Sequence, residues 1–365
     1  MKKQNADALK DRVQSILDAA VAAGEAIGCQ AAAYVDGELV VNACAGWLDE
    51  SHSRPVGDDS LFAVYSTGKG IASTAFLRLV ERGLIGLDQL VGDIWPEFAC
   101  NGKEATTVRH ILQHRSGVCI RTPYDSIPQI ADWEEMCRRV AAVKPVFAPG
   151  STTRYQTINY SWLLCELAQR VTGKPFRQIV AEEVFQPAGM TNMFFGVPDA
   201  ALPRVARVYR GAGMPPIPAQ PPCWDYSLEE IMNTRVIQQA CLPGFNCITN
   251  AIDLAKHYSR LLDCAGDSRL LSKAMVRDAC VMTLAPNDPP PASRASWGTH
   301  GLGYAVADPD ENDVARYFGH GGYGGPDGGA WQPGRMAFGL TGNLMGPTGK
   351  LRNDVVGVIK KACAE

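Results

Sequence analysis

The chain has 365 residues, 46% of them hydrophobic and 20% charged, which is apolar material for a sizeable core in one large domain or two ordinary ones. A net charge of −3, a sequence pI near 6.1 and the lack of any Lys/Arg-rich run give no basis for a nucleic-acid or acidic-membrane partner. No run of 18 apolar residues occurs, so no helical membrane span is expected.

The first element lies in MKKQNADALKDRVQSILDAAVAAGEAIG. Two lysines open it, but the apolar stretch of a secretion signal does not follow. Leu9, Val13, Ile16, Leu17, Ala20 and Val21 instead recur at the spacing of an amphipathic surface helix. The expectation is a protein kept in the cytosol. CQAAAYVDGELVVNACAGW then reads as two strands joined at Asp36-Gly37, a hairpin signal. Ser66 opens a helix that buries Ile71, Ala72, Ala75, Phe76, Leu79 and Val80 and stops at Gly83.

From there to about residue 290 the pattern is mostly helical, as in VRHILQHRSG, YSWLLCELAQRVTGK and AIDLAKHYSRLLDCAG. The Pro-rich stretch RGAGMPPIPAQPPCW (210–224) is short and flanked by apolar sequence, which favours an ordered surface loop over an interdomain linker. Strands return in GLGYAVAD, ARYFGHGG, GGAWQPG and RMAFGLTGNLM, and LRNDVVGVIKKACA closes the chain as a helix. Strands at both ends and helices between them predict a mixed α/β (α+β) fold in a single domain, residues 1–365. An antiparallel sheet from about 1–65 and 291–365 would be flanked by helices, with a mainly helical lobe from about 66–290. The cleft between the two lobes is the natural ligand site.

The 12 cysteines are scattered, without Cys-x-x-Cys and without a histidine at ligand spacing. They read as small buried hydrophobes in a reducing compartment, and no metal site is expected.

One stretch carries chemistry. FAVYSTGKGIAST (62–74) places Ser66 and Lys69 three residues apart, so that on a helix their Cβ atoms lie about 5–6 Å apart on one face. A phosphate loop is excluded, because GxxxxGK[ST] would need Gly at 63 and Ser or Thr at 70, where Ala63 and Gly70 stand. Lys174 and Lys350 also follow glycines and fail in the same way, and a GxSxG elbow is absent. A serine beside a lysine whose pKa is depressed by burial or positive neighbours is a nucleophile with its base. Ser-x-x-Lys alone occurs by chance, and a helix-capping serine with a surface lysine is the plain alternative.

The company of the pair decides. Ser66-Thr67-Gly68-Lys69, then Tyr155-Gln156-Thr157, then His320-Gly321-Gly322 resemble, in order, the S-x-x-K, Y-x-N and K-T-G or H-x-G motifs of the serine β-lactamase and penicillin-binding-protein superfamily. Flanking stretches, among them ERGLIGLDQLVGDIWPEF, TVRHILQHRSGV and FAPGSTTRYQTINYSWLLCELAQRVTGKPF, resemble its class C β-lactamase, family VIII carboxylesterase and D-aminopeptidase branch. The resemblance covers nearly the whole chain. Two positions depart from the pattern: Thr157 stands where the family often has Asn, and His320-Gly321-Gly322 replaces K-T-G. Losing the lysine and threonine of K-T-G weakens the case for an efficient β-lactamase or transpeptidase, and H-x-G variants resemble the esterases, amide hydrolases and acyltransferases of the superfamily.

The resemblance implies roles. Ser66 would be the nucleophile, Lys69 and Tyr155 the acid–base partners, and the backbone N–H groups of Ser66 and Tyr323 the oxyanion hole. His320, Gly321, Gly322 and Thr157 would contact substrate, with His320 either binding it or tuning Tyr155. Trp224, Tyr226, Tyr124 and Phe245 are candidates for an apolar acyl pocket, core packing being the default for any aromatic. GHGGYGGPDGG (319–329) reads as a strand edge left bare for substrate. The expected activity is serine hydrolysis of a small ester, or of an amide or β-lactam, through a Ser66 acyl-enzyme, with no cofactor. The alternatives are an acyltransferase passing that acyl group to an alcohol or amine, and an inactive binding protein that keeps the cleft. Oligomeric state is not legible.

Overall fold

The computed structural model describes residues 3–214, 227–290, 300–346 and 349–364. Most of the Pro-rich stretch, with Trp224 and Tyr226, lies outside the described residues.

A six-stranded antiparallel sheet joins the two ends of the chain. Its strands are β1 (Gly28–Val35), β2 (Glu38–Gly46), β3 (Ala305–Pro309), β4 (Ala315–Gly321), β5 (Asp327–Trp331) and β6 (Met336–Gly342), in the spatial order β2-β1-β6-β5-β4-β3. The first hairpin turns at Asp36 and Gly37, both with positive φ, as a two-residue hairpin turn requires. β1 then pairs on its other side with β6, Cys29 opposite Gly342 and Val35 opposite Met336.

The alternation of β1 assigns its side chains to two layers. Cys29, Ala31, Ala33 and Val35 face a core formed with Leu9, Val13 and Leu17 of helix α1 (Lys3–Ala22) and with Val355, Val356 and Ile359 near the C-terminus. Ala32 and Tyr34 face the opposite, larger core. That core takes in the helices α2 (Gly68–Glu81), α3 (Asn159–Thr172) and α4 (Ala251–Ser259), and α5 (Lys350–Ala364) closes the first layer. Ile71, Ala72, Ala75, Phe76 and Leu79 are buried on α2 as expected, and Val80 is half-buried. Gly83 follows α2 in the left-handed region, and Gly173 does the same after α3.

The short strand before Ser66, Phe62–Tyr65, does not join the main sheet. It pairs with Cys247–Thr249, which also pairs with Met193–Phe194. Of the 11 described cysteines all are free thiols, six buried and five half-buried. Among the described residues no helix is long and apolar enough to cross a membrane.

Gln30 ties these layers together from the middle of β1. Its amide donates to the carbonyls of Gly57 (2.6 Å) and Ser60 (3.3 Å). Its oxygen accepts from Ala251 N–H at the start of α4 (3.0 Å) and from Thr341 on β6 (3.2 Å). Leu has a similar volume but none of these bonds, so Gln30→Leu would strand several buried polar groups, each worth about 1–3 kcal/mol. We expect a loss of about 2–4 kcal/mol in urea unfolding. A loss below about 1 kcal/mol would show that the tie is not structural.

Candidate active site

Ser66 sits on the turn that converts the strand Phe62–Tyr65 into α2. The turn is tight: Thr67 N–H donates to Val64 O (3.1 Å) and Lys69 N–H to Ser66 O (3.0 Å). Tyr65 takes φ +49°, a strained value for a bulky residue and of the kind that clusters at functional sites. This geometry presents the Ser66 side chain at the N-terminal end of a helix, where N–H groups point outward.

Lys69, one turn in, is fully buried. Its Nζ donates to Ser66 Oγ at 3.1 Å and to the carbonyl of Gly244 at 2.6 Å. Burial first, and the positive charge of Arg121 second, hold its pKa well below the usual 10.5 for a lysine. Gly244 is itself fixed, its N–H donating to Ser161 Oγ on α3 at 2.8 Å.

Tyr155 lies in the loop before α3, its ring centroid 4.8 Å from Lys69 Nζ. A cation near its hydroxyl would lower its pKa, but burial dominates and pushes it above the ordinary 10, against a hydrogen bond with Ser66 that pulls it down. The phenol therefore stays protonated at neutral pH, beside an amine that loses its proton readily.

Three imidazoles surround that phenol ring: His114 at 4.8 Å, His300 at 5.8 Å and His320 at 6.0 Å between centroids. Each offers a ring nitrogen within 4.8 Å of the others, a spacing to be tested for a metal ion. His114 Nδ1 accepts from the Gln156 backbone N–H (3.3 Å) and faces the Gln156 side-chain amide nitrogen (3.1 Å). That amide also donates to Ile111 O at 2.7 Å, while Ser116 holds its oxygen, so its orientation is set. The His114 proton consequently sits on Nε2, the free nitrogen, which makes it a donor rather than a metal ligand. His320 is the complement. Its Nδ1 lies 2.8 Å from Gly321 O, a pure acceptor, so Nδ1 carries the proton and buried Nε2 offers a lone pair. Burial, then the neighbouring charged or chargeable groups, hold both imidazoles well below the usual 6.5. They form a neutral cage around Tyr155, and the donor set does not suit a metal.

A pocket of about 130 Å³ opens at Ser66, lined among the described residues by Tyr65, Arg121, Tyr155, Thr157, Phe245 and Tyr323, with Ile158, Leu228 and Gly244. Of the residues expected from sequence, Ser66, Lys69, Tyr155, Thr157, Tyr323 and Phe245 thus come together. Tyr124 is buried and does not line this pocket. His320 stands behind Tyr155, also outside the pocket lining, its ring centroid 6.0 Å from the phenol ring. Gly322 lies against the turn that carries Ser66, where a Cβ would meet Val64 O at 2.3 Å, and Gly321 borders a neighbouring hollow. Residues that sequence reasoning missed are His114, His300, Arg121 and Gly244. His114 ends a segment read only as helix, in the left-handed region at φ +58°. Gly244 acts through its carbonyl, which leaves no mark in a sequence.

A family model described as Beta-lactamase matches residues 13–354. The chain belongs to the Beta-lactamase family. Esterase/beta-lactamase LipL of Mycobacterium tuberculosis is 35% identical over 181 residues, 48% of this chain and 41% of that protein. Esterase EstB of Burkholderia gladioli is 31% identical over 208 residues, 52% of this chain and 53% of EstB. The chain thus spans about half the length of the curated relatives it matches. A family VIII carboxylesterase crystal structure superposes with a TM-score of 0.84 at 28% identity over 97% of both chains. A penicillin-binding protein homolog from Caulobacter crescentus gives 0.83 at 26%, also over 97% of both. The curated relatives named here are esterases, and the solved neighbours are a carboxylesterase and a penicillin-binding protein homolog.

The lowered Lys69 pKa has a consequence for stability. The unfolded chain protonates this lysine below its ordinary pKa while the folded site resists, so the lysine's burden is full at low pH and fades as pH rises toward 10.5. Lys69→Met is therefore expected to be more stable than wild type near about pH 7, with the advantage shrinking toward about pH 10. Urea unfolding at both pH values checks it. An advantage that grows with pH would reverse the assignment.

Proposed function

We propose that this protein is a carboxylesterase that hydrolyses esters of short acyl groups through a Ser66 acyl-enzyme. The observation that carries this reading is the buried Lys69 amine, 3.1 Å from Ser66 Oγ and poised to be neutral. A neutral amine at hydrogen-bond distance is the base that a serine hydroxyl needs, and geometry and pKa agree.

The steps follow from the placement of the groups. Lys69 takes the Ser66 proton as Oγ attacks the ester carbonyl. The charge that develops on the carbonyl oxygen meets the backbone N–H groups of Ser66 and Tyr323, which cost no reorganisation. The Tyr155 phenol gives its proton to the departing alcohol oxygen, and the Lys69 ammonium re-protonates Tyr155. Water then attacks the acyl-enzyme with the same groups acting in reverse, releasing the acid and restoring Ser66. The neutral His114 and His320 rings hold Tyr155 in place without adding a charge that would draw its proton off early. The pocket limits the acyl group: about 130 Å³ approaches the size of an apolar cavity of about 150 Å³ that admits a benzene ring.

Labelling with a fluorophosphonate and turnover of a p-nitrophenyl butyrate test the reading directly. Wild type is expected to do both, and Ser66→Ala neither. Tyr155→Phe should still label, with kcat lowered about 10²–10⁴-fold, the range for a lost general acid. Labelling that survives in Ser66→Ala, or wild type that neither labels nor turns over ester, would remove this reading.

A further inference from the structure

Acylation by the proposed route creates a charge. As Lys69 takes the Ser66 proton it changes from a neutral amine to an ammonium, and it does so in a fully buried place. Besides Ser66, the groups that face it are the ring of Tyr155 at 4.8 Å, the ring of Tyr160 at 5.9 Å, the imidazoles of His114 and His320, Arg121 and the Gly244 carbonyl. No carboxylate stands among them. Arg121 opposes the new charge, and burial keeps both imidazoles neutral. Once Ser66 Oγ has bonded to the substrate carbon it is an ester oxygen, a poor acceptor. Of these groups the Gly244 carbonyl, at 2.6 Å, is the strong hydrogen-bond acceptor that remains.

That carbonyl is held from several sides. Gly244 N–H donates to Ser161 Oγ at 2.8 Å, and the packing is so close that a Cβ on Gly244 would meet the same oxygen at 2.8 Å. The N–H of Phe245, in one peptide unit with the Gly244 carbonyl, donates to Leu242 O at 2.8 Å and so polarises that carbonyl. Asn246 closes the turn, accepting from Leu242 N–H at 3.0 Å and donating to Ala240 O at 2.8 Å. These last bonds lie within the turn and its approach, whereas Ser161, fully buried on α3, ties the turn to a helix of the site. We infer that Ser161 is a positioning residue for acylation, which through Gly244 keeps on Lys69 the carbonyl that receives the charge formed in the transition state. This rests on the reading of Ser66 as nucleophile. A hydrogen bond from an ammonium is roughly twice as strong as one from a neutral amine, so the contact tightens as the proton moves. Contacts that strengthen toward the transition state are the ones that accelerate the chemical step.

The test is the pH dependence of kcat/KM for p-nitrophenyl butyrate. Activity is expected to fall on the acid side, where Lys69 is already protonated and cannot act as base. In Ser161→Ala the plateau should drop about tenfold and the midpoint of the acid limb should move down by about one pH unit, because an ammonium with a weaker acceptor gives up its proton more readily. Ser161→Thr keeps an oxygen within reach and should stay near wild type in both. Ser161→Cys, whose sulfur accepts weakly, should fall between, and it carries the test if the alanine variant does not fold. A plateau that drops with the midpoint unmoved makes Ser161 a brace of the fold alone and overturns the inference. A midpoint that moves up, or a wild type without an acid limb, overturns it too. Fluorophosphonate labelling separates this from the larger reading. Wild type that labels at Ser66, with variants that keep its midpoint, sinks this inference alone. Wild type that neither labels nor hydrolyses the ester sinks the esterase reading with it.

Discussion

The amine of Lys69 is the constraint around which the site is arranged. It is fully buried, and its partners are a hydroxyl and a carbonyl, both neutral acceptors. A lysine in such a place resists protonation, and the fold goes to some length to put it there. Gly68 lets α2 press against the segment before the strand Cys247–Thr249: a Cβ would meet Pro243 O at 2.4 Å. That contact brings the Gly244 carbonyl within reach, and Ser161 on α3 fixes its direction. The activity proposed for Ser66 is in this sense assembled from a missing side chain, a backbone oxygen and a distant serine.

Around Tyr155 the surroundings are kept neutral. His114 and His320 sit close enough to change its charge state if they were protonated, and burial keeps them uncharged. Gln156, next to the tyrosine in sequence, sets the His114 tautomer with its backbone and its side chain at once. One short loop thus supplies the phenol and the groups that hold an imidazole against it. The same loop ends in Thr157, held at positive φ where it borders the pocket.

Much of this was legible in the sequence wherever a local pattern carried it. Asp36-Gly37 marked the first hairpin, the 3.6-residue recurrence from Ile71 marked α2, and the glycine-punctuated strands from residue 305 marked the rest of the sheet. The pairing of Ser66 with Lys69 was legible because helix geometry alone brings i and i+3 together. Partners supplied by tertiary contact were not. His114, His300 and His320 belong to three separate segments, and no spacing rule links them. The strand Phe62–Tyr65 was not read from the sequence at all, and its partner, Cys247–Thr249, lies within the stretch that read as helical. Arg121 carried no signal either, since an arginine in a loop is solvated by default and only the closed pocket reveals its position.

The sheet that supports the site has its own history written into its strand order. β1 lies one strand in from the sheet edge, yet one of its neighbours, β6, is made long after it: Cys29 waits for Gly342. Until then the hairpin β1–β2 shows an open, alanine-rich edge while the helical segments emerge ahead of β6. Pairings so remote in sequence close slowly and leave strand edges open to the wrong partners. For this chain, the risk of misassembly is therefore concentrated in the interval of synthesis between its second strand and its last ones.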